Sequence, residues 1–185
     1  MGNKVIAIVG MCGSGKSEVT KFFVELGYVK IYFGNITINE LNKQGLEINE
    51  SNEKRIREKL REKHGLSAYA LQLLPDINKA ASCSNVVLDG LYSWSEYRYL
   101  KEHFGSDLIT LAVVSNQQIR IKRLQARTIR SLNASEVECR DVAEIENLEK
   151  GGPIARADYY ILNNFGMKEL EKQFEDFIKW LQITF

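Results

Sequence analysis

The chain is poor in the residues that punctuate or staple small folds. Of its 185 residues only two are proline (Pro75, Pro153), three are cysteine and two are histidine. Cys12, Cys83 and Cys139 are odd in number and widely spaced. They supply neither a disulfide framework nor the paired spacing of a zinc site, and they read as free thiols of a reducing compartment. His64 and His103 read as surface residues, without the companion serine, cysteine or ligand cluster that hydrolase chemistry needs. No apolar run approaches the ~20 residues of a membrane span, and residues 5–10 are too short for the core of a signal peptide. The expectation is a cytoplasmic protein with no membrane partner. Charge of one sign is also missing: 25 Lys+Arg against 24 Asp+Glu leave a net charge of +1. No global field therefore favours nucleic acid as a partner, and any anion must be held by a local cluster.

What remains has the balance of a globular protein, 44% hydrophobic and 26% charged. No Ser/Gly-rich linker, internal repeat or low-complexity segment divides the chain, so one domain over 1–185 is expected. Strand and helix patterns alternate. Apolar, β-branched runs predict strands over 5–9, 29–33, 85–88, 108–114 and 159–162. Helical spacing predicts helices over 16–26, 36–44, 52–64, 67–83 with a kink or break at Pro75, 94–104, 116–131 and 167–182. A further helix is expected from a capping box at Ser135 and Glu138 to Lys150, stopped by Gly151-Gly152. Such alternation predicts a three-layer α/β/α fold on a five-stranded parallel sheet, with ligands at the carboxyl ends of the strands.

After the first strand comes Gly10-Met11-Cys12-Gly13-Ser14-Gly15-Lys16-Ser17, a G-x-x-x-x-G-K-S loop that opens the first helix. Small residues let successive backbone N–H groups face a β-phosphate, and the helix N-terminus adds its dipole. In this pattern Lys16 reaches the β- and γ-phosphates and the Ser17 hydroxyl ligates Mg²⁺. Gly10, Cys12, Gly13, Ser14, Gly15, Lys16 and Ser17 are thus the candidate residues for ATP. Val86-Val87-Leu88-Asp89 is a buried-strand pattern ending in a carboxylate, the place of a Walker B residue, and makes Asp89 a second candidate for Mg²⁺. Between Leu108 and Ser135 there is no acidic residue, while Arg120, Arg123, Arg127 and Arg130 recur at spacings that put them on one helical face. That face reads as a lid over transferred phosphoryl oxygens, with Arg123 and Arg127 as its candidate catalytic arginines. The competing reading pairs it with the acidic helix that follows.

These pieces together resemble the nucleoside monophosphate kinase group of P-loop proteins. Within that group the chain is most similar to dephospho-CoA-kinase-like proteins, including an uncharacterised, mainly archaeal set. The likeness spans nearly the whole chain. It rests on the loop 10–17, the stretch from Leu26-Gly27-Tyr28 to Gly34-Asn35, Leu60-Arg61-Glu62-Lys63-His64-Gly65, residues 87–90, Arg123 and Arg127, and Ala157-Asp158-Tyr159-Tyr160-Ile161-Leu162-Asn163-Asn164. The resemblance implies an acceptor-binding helical insert over about 34–84 and a lid over about 116–150. It places Arg61 on the acceptor side and Asn163 near the adenine. Such kinases often carry an Asp after the second strand, where this chain has Asn35, and an amide cannot act as a general base. A hydroxyl acceptor benefits from such a base; a phosphate acceptor, with a second pKa of about 6, does not. The expectation is transfer from ATP to a small nucleotide-like acceptor, a nucleoside monophosphate ahead of dephospho-CoA. Asp89 and Glu40 remain alternative bases. A regulatory NTPase and a nucleotide-binding protein without kinase activity are the other readings. The first of these lacks the N-K-x-D and D-x-x-G signatures it would need.

Overall fold

A computed structural model describes residues 2–129 and 131–184. Strand β1 (Val5–Val9) is buried along its whole length, as a strand flanked on both sides and covered on both faces must be. In chain order follow α1 (Lys16–Glu25), β2 (Val29–Tyr32), α2 (Gly34–Lys43), α3 (Glu50–His64), α4 (Ala68–Ala81), β3 (Val86–Asp89), α5 (Trp94–Phe104) and β4 (Leu108–Val114). The chain continues with α6 (Gln117–Gln125), α7 (Ala134–Leu148), α8 (Gly151–Ala155), β5 (Tyr159–Leu162) and α9 (Met167–Thr184). The strands form one sheet in the order β2-β3-β1-β4-β5, with every pairing parallel.

Alternate side chains divide the core between the two faces. Val5, Ala7, Val9, Val86 and Leu88 pack with Tyr69, Leu73 and Ile77 of α4 and Tyr97 and Leu100 of α5. Ile6, Ile8, Val87, Ile109 and Leu111 pack on the other face with Val19 and Phe23 of α1 and Leu170, Phe174, Phe177 and Leu181 of α9. Phe23 meets Phe174 and Tyr28 edge-on, with centroids 4.9 and 5.0 Å apart. This is the three-layer parallel fold the alternation predicts. Among the described residues, no helix is long and apolar enough to cross a membrane.

Several local expectations are corrected. Pro75 does not break α4, which runs unbroken through it. Pro75 and Leu71 are both exposed, so the carbonyl that proline leaves unbonded can be met by water. The helix expected over 116–131 ends at Gln125, because the Ser131 hydroxyl and the Leu132 N–H take the carbonyls of Gln125 and Leu124. The capping box belongs to Asn133 and Glu136, not to Ser135 and Glu138. Glu149, in the left-handed region at φ 51°, ends α7, and Gly151-Gly152 opens α8 instead of stopping a helix.

Candidate active site

Strand β1 sits between β3 and β4, where the chain has wound out to one side of the sheet and returns to build the other. The crevice at the carboxyl ends of the strands opens there. Gly10 leaves the strand at φ 146°, and Gly13 and Gly15 follow at φ 80° and 101°. These conformations suit glycine and bend the chain into a loop before α1. A Cβ on Gly10 would strike the Val113 carbonyl, and one on Gly15 would run into the Asn163 side chain. The loop is therefore clasped by the ends of β4 and β5. The Asn163 amide donates to the Ser14 carbonyl at 2.9 Å, and the Ser115 hydroxyl lies within reach of the carbonyls of Ser14 and Asn163.

The Lys16 ammonium donates to the carbonyls of Gly10 and Met11 at 2.8 and 3.0 Å. Burial, with the like charge of Lys150 beside it, lowers Lys16 to about 8. Arg123 donates to the Ser115 hydroxyl at 3.0 Å and to the Asn163 side-chain oxygen at 3.1 Å, and burial lowers its pKa. Gly13, Gly15, Lys16, Ser17, Arg123, Arg127 and Asn163 line one cavity of about 240 Å³. Most of the sequence candidates for the donor nucleotide thus converge. Asn163 is placed against the loop itself, as a brace between Ser14 and Arg123.

The arginine face does not hold together. Arg120 turns inward and forms a two-pronged pair with Asp141 of α7, at 2.9 and 2.6 Å, while donating to the Cys12 carbonyl at 3.2 Å. Arg127 lies beyond the end of α6, and Arg130 is outside the described residues. The acidic helix takes one arginine and leaves Arg123 and Arg127 at the cavity.

Asp89 ends β3 in register with Ile8 of β1 and Tyr32 of β2. It is buried, with one oxygen 3.0 Å from the Lys30 ammonium. An exposed serine hydroxyl and this carboxylate make an all-oxygen donor pair. That suits Mg²⁺, which keeps water and phosphate oxygens for most of its ligands. Asn35 lies in the first turn of α2 and faces a different cavity, of about 290 Å³, with Lys30, Tyr32, Asn39, Gln72 and Asp76. It does not line the cavity at the phosphate loop. Arg61, in the last turn of α3, stands over the Tyr69 ring at 5.3 Å, and its buried Nε has no partner.

Three ionisable groups behind the loop escaped the sequence reading. Glu96 is wholly buried at the start of α5; its Oε2 accepts from the Tyr92 and Ser93 N–H groups at 2.8 and 3.0 Å, and its Oε1 has no partner. Burial pushes this carboxyl up to about 7. The Ser93-x-x-Glu96 spacing of a capping box was the signal that could have located it. Lys150, 1% exposed, pairs with Glu144 at 2.6 Å and lies 5.3 Å from the centre of the Tyr92 ring. Burial pushes Glu144 up, but Lys150, Arg140 and Lys16 outweigh it and hold the carboxyl down to about 2. A spacing of six residues is not a helical pair, so the sequence carried no signal for this contact.

The AAA domain family matches residues 6–143. The chain is 35% identical to a UPF0200 protein of Methanococcus maripaludis strain C6, over 98% of this chain and 96% of that one. It is 32% identical to a UPF0200 protein of Methanosarcina mazei, over 94% and 92%. Among solved structures, TT1252 from Thermus thermophilus superposes with a TM-score of 0.68 at 20% identity, covering 98% of this chain and 99% of the other. A shikimate kinase from Bacteroides thetaiotaomicron gives 0.66 at 12% identity, over 97% and 98%. At these identities the structural likeness speaks for the fold, which is that of P-loop kinases.

Proposed function

The chain belongs to the UPF0200 protein family and carries an AAA domain, and from there we propose that it is an ATP-dependent phosphotransferase acting on a small nucleotide-like acceptor. The observation that carries this reading is the clasped loop with a half-buried lysine folded over it and Arg123 at its rim. Lys16 leaves the Gly10 and Met11 carbonyls for the β- and γ-phosphates of ATP, and Ser17 and Asp89 are the residues that would hold Mg²⁺. The metal, when bound, neutralises charge on the phosphate oxygens. Residues 116–150 act as the lid, and 34–84 hold the acceptor, with Arg61 and Asn35 on that side.

The favoured acceptor is a nucleoside monophosphate. The γ-phosphoryl breaks its P–O bond to ADP and forms one to an acceptor phosphate oxygen that is already largely unprotonated at neutral pH, so no base is required. Asn35, without a carboxylate, fits such an acceptor. One observation favours a second reading, in which the acceptor is a hydroxyl as in dephospho-CoA. Asp89 is a carboxylate at the carboxyl end of β3, where such sheets bind their ligands, and a carboxylate there can take the hydroxyl proton that the Asn35 amide cannot.

A coupled ADP-release assay across nucleoside monophosphates, their deoxy forms and dephospho-CoA tests both. Turnover is expected with a monophosphate, and Lys16→Ala should lower it by at least about 10²-fold. Asn35→Asp should give no gain, since a new anion repels a dianionic acceptor. Dephospho-CoA turnover without any monophosphate turnover would replace the first acceptor by the second. No turnover with any acceptor, or a Lys16→Ala enzyme as fast as wild type, would refute the phosphotransferase reading.

A further inference from the structure

The Lys150–Glu144 pair is hard to explain as stability alone. Taking both charges out of water costs more than a well-packed apolar pair would, and the sequence devotes an unusual backbone to it. Glu149, just before the lysine, is the one non-glycine residue with positive φ among the described residues. Gly151 and Gly152 follow it, and a Cβ on Gly152 would press into the Trp94 ring. Lys150 thus stands at a tight corner between α7 and α8, with its N–H on the Glu144 carbonyl at 3.2 Å and its ammonium on the Glu144 carboxylate.

Its surroundings locate it further. Lys150 stands by the carboxyl end of β3: a Cβ on Gly90, the residue after Asp89, would meet the Tyr92 hydroxyl. Its ammonium faces the Tyr92 ring, three residues after Asp89. A cation at the carboxyl end of β3 stands where such sheets bind their ligands, and a phosphoryl group in transit there carries its charge on three equatorial oxygens.

We propose that Lys150, paired with Glu144, is the cation of the transferred phosphoryl group, delivered to the phosphoryl oxygens when nucleotide and acceptor are bound. The inference rests on the phosphotransferase reading and adds a catalytic residue to it. The step itself is unchanged: the bond from the γ-phosphorus to the ADP oxygen breaks, one to the acceptor oxygen forms, and Lys150 keeps its proton throughout. Glu144 holds the ammonium in aim at 2.6 Å.

The test must separate this role from a buried ion pair that merely holds the fold. Lys150→Gln alone leaves Glu144 buried and unpaired, and it is expected to lower Tm for that reason. Lys150→Gln combined with Glu144→Gln removes both charges and should restore Tm to near wild type. Binding of MgADP, with and without aluminium fluoride as the planar mimic of the phosphoryl group, is then measured by calorimetry on wild type, the double variant and Lys150→Arg. The double variant should bind MgADP within a factor of about two of wild type. It should lose about 10²-fold or more of the extra affinity that aluminium fluoride confers, in the range of one lost transition-state contact. Lys150→Arg should keep part of that gain. A double variant that gains as much from aluminium fluoride as wild type overturns the inference and leaves the phosphotransferase reading intact. A wild-type protein that does not bind MgADP at all overturns both.

Discussion

Replacing Glu96 by glutamine should stabilise the protein above neutral pH, although it deletes a charged, hydrogen-bonded side chain from the core. Glu96 is wholly buried, and burial outweighs the attraction of Arg61 and Lys150 and the hydrogen bonds from the Tyr92 and Ser93 backbones, so its carboxyl sits at about 7 instead of 4.5. The folded state therefore holds this proton more tightly than the unfolded state does. The corresponding stability is fully present below pH 4.5 and is lost as pH rises through about 7. At about 1.4 kcal/mol per pH unit, that interval is worth about 3 kcal/mol. A glutamine at this position closes a capping box as well as a glutamate does, since its oxygen accepts the same two N–H groups, and it has no charge to bury. Urea denaturation of wild type and Glu96→Gln from pH 4.5 to 8.5 gives a difference curve in which the other titrating groups cancel. We expect the two proteins to be about equally stable at the acid end, and the variant to be ahead by about 3 kcal/mol at pH 8.5. Parallel curves, or a variant weaker throughout, would show that the carboxylate is ionised at ordinary cost and that Arg61 already satisfies it.

Two further pairs of substitutions probe the lid-side helices. Arg120→Met should cost about 3–5 kcal/mol in denaturant by leaving Asp141 buried without its partner, and Arg120→Met with Asp141→Leu should recover most of that; a single variant near wild-type stability would return Arg120 to the lid. Asn133→Ala should cost about 1 kcal/mol by opening the capping box of α7, whereas Ser135→Ala should cost almost nothing; the reverse order would restore the cap to Ser135.

What could be read from the sequence was what neighbouring residues decide among themselves. The strand Val5–Val9, the glycine turn and the helix behind it are contiguous, so the motif and its setting appeared together. The same holds for the run that ends in Asp89. The arginine spacing misled because periodicity says which residues would share a face if a helix continued, and not where the helix stops. Ser131 and Leu132 stop it, and the tertiary pair Arg120–Asp141 then claims the first arginine. Asn35 followed the second strand as expected, in the first turn of α2, and lines a cavity of its own. Glu96, Glu144 and Lys150 draw their importance from burial and from partners in other elements. Composition and spacing record neither.

The clasp on the loop is itself open to measurement, because two of its parts collide only when one of them is changed. Gly15 has φ 101°, which disfavours a side chain, and a Cβ there would also meet the Asn163 amide. Gly15→Ala therefore carries two costs: a backbone term on the order of 1–2 kcal/mol, and the displacement of Asn163, which breaks its bonds to the Ser14 carbonyl and to Arg123. Asn163→Ala by itself loses those bonds and leaves the Ser14 carbonyl without its amide donor, on the order of 1–3 kcal/mol. In the Asn163→Ala background the new methyl at position 15 finds space, and only the backbone term remains. The two substitutions should thus be strongly non-additive, the double variant being more stable than the sum of the singles predicts by the cost of the Asn163 bonds, about 1–3 kcal/mol. The same cycle read in MgADP affinity should show each single variant weakened and the double variant little weaker than either, since both act by releasing one loop from one brace. Additive effects on stability and affinity would mean that Asn163 yields freely to the methyl group, and that the loop owes its shape to its own glycines and not to the end of β5.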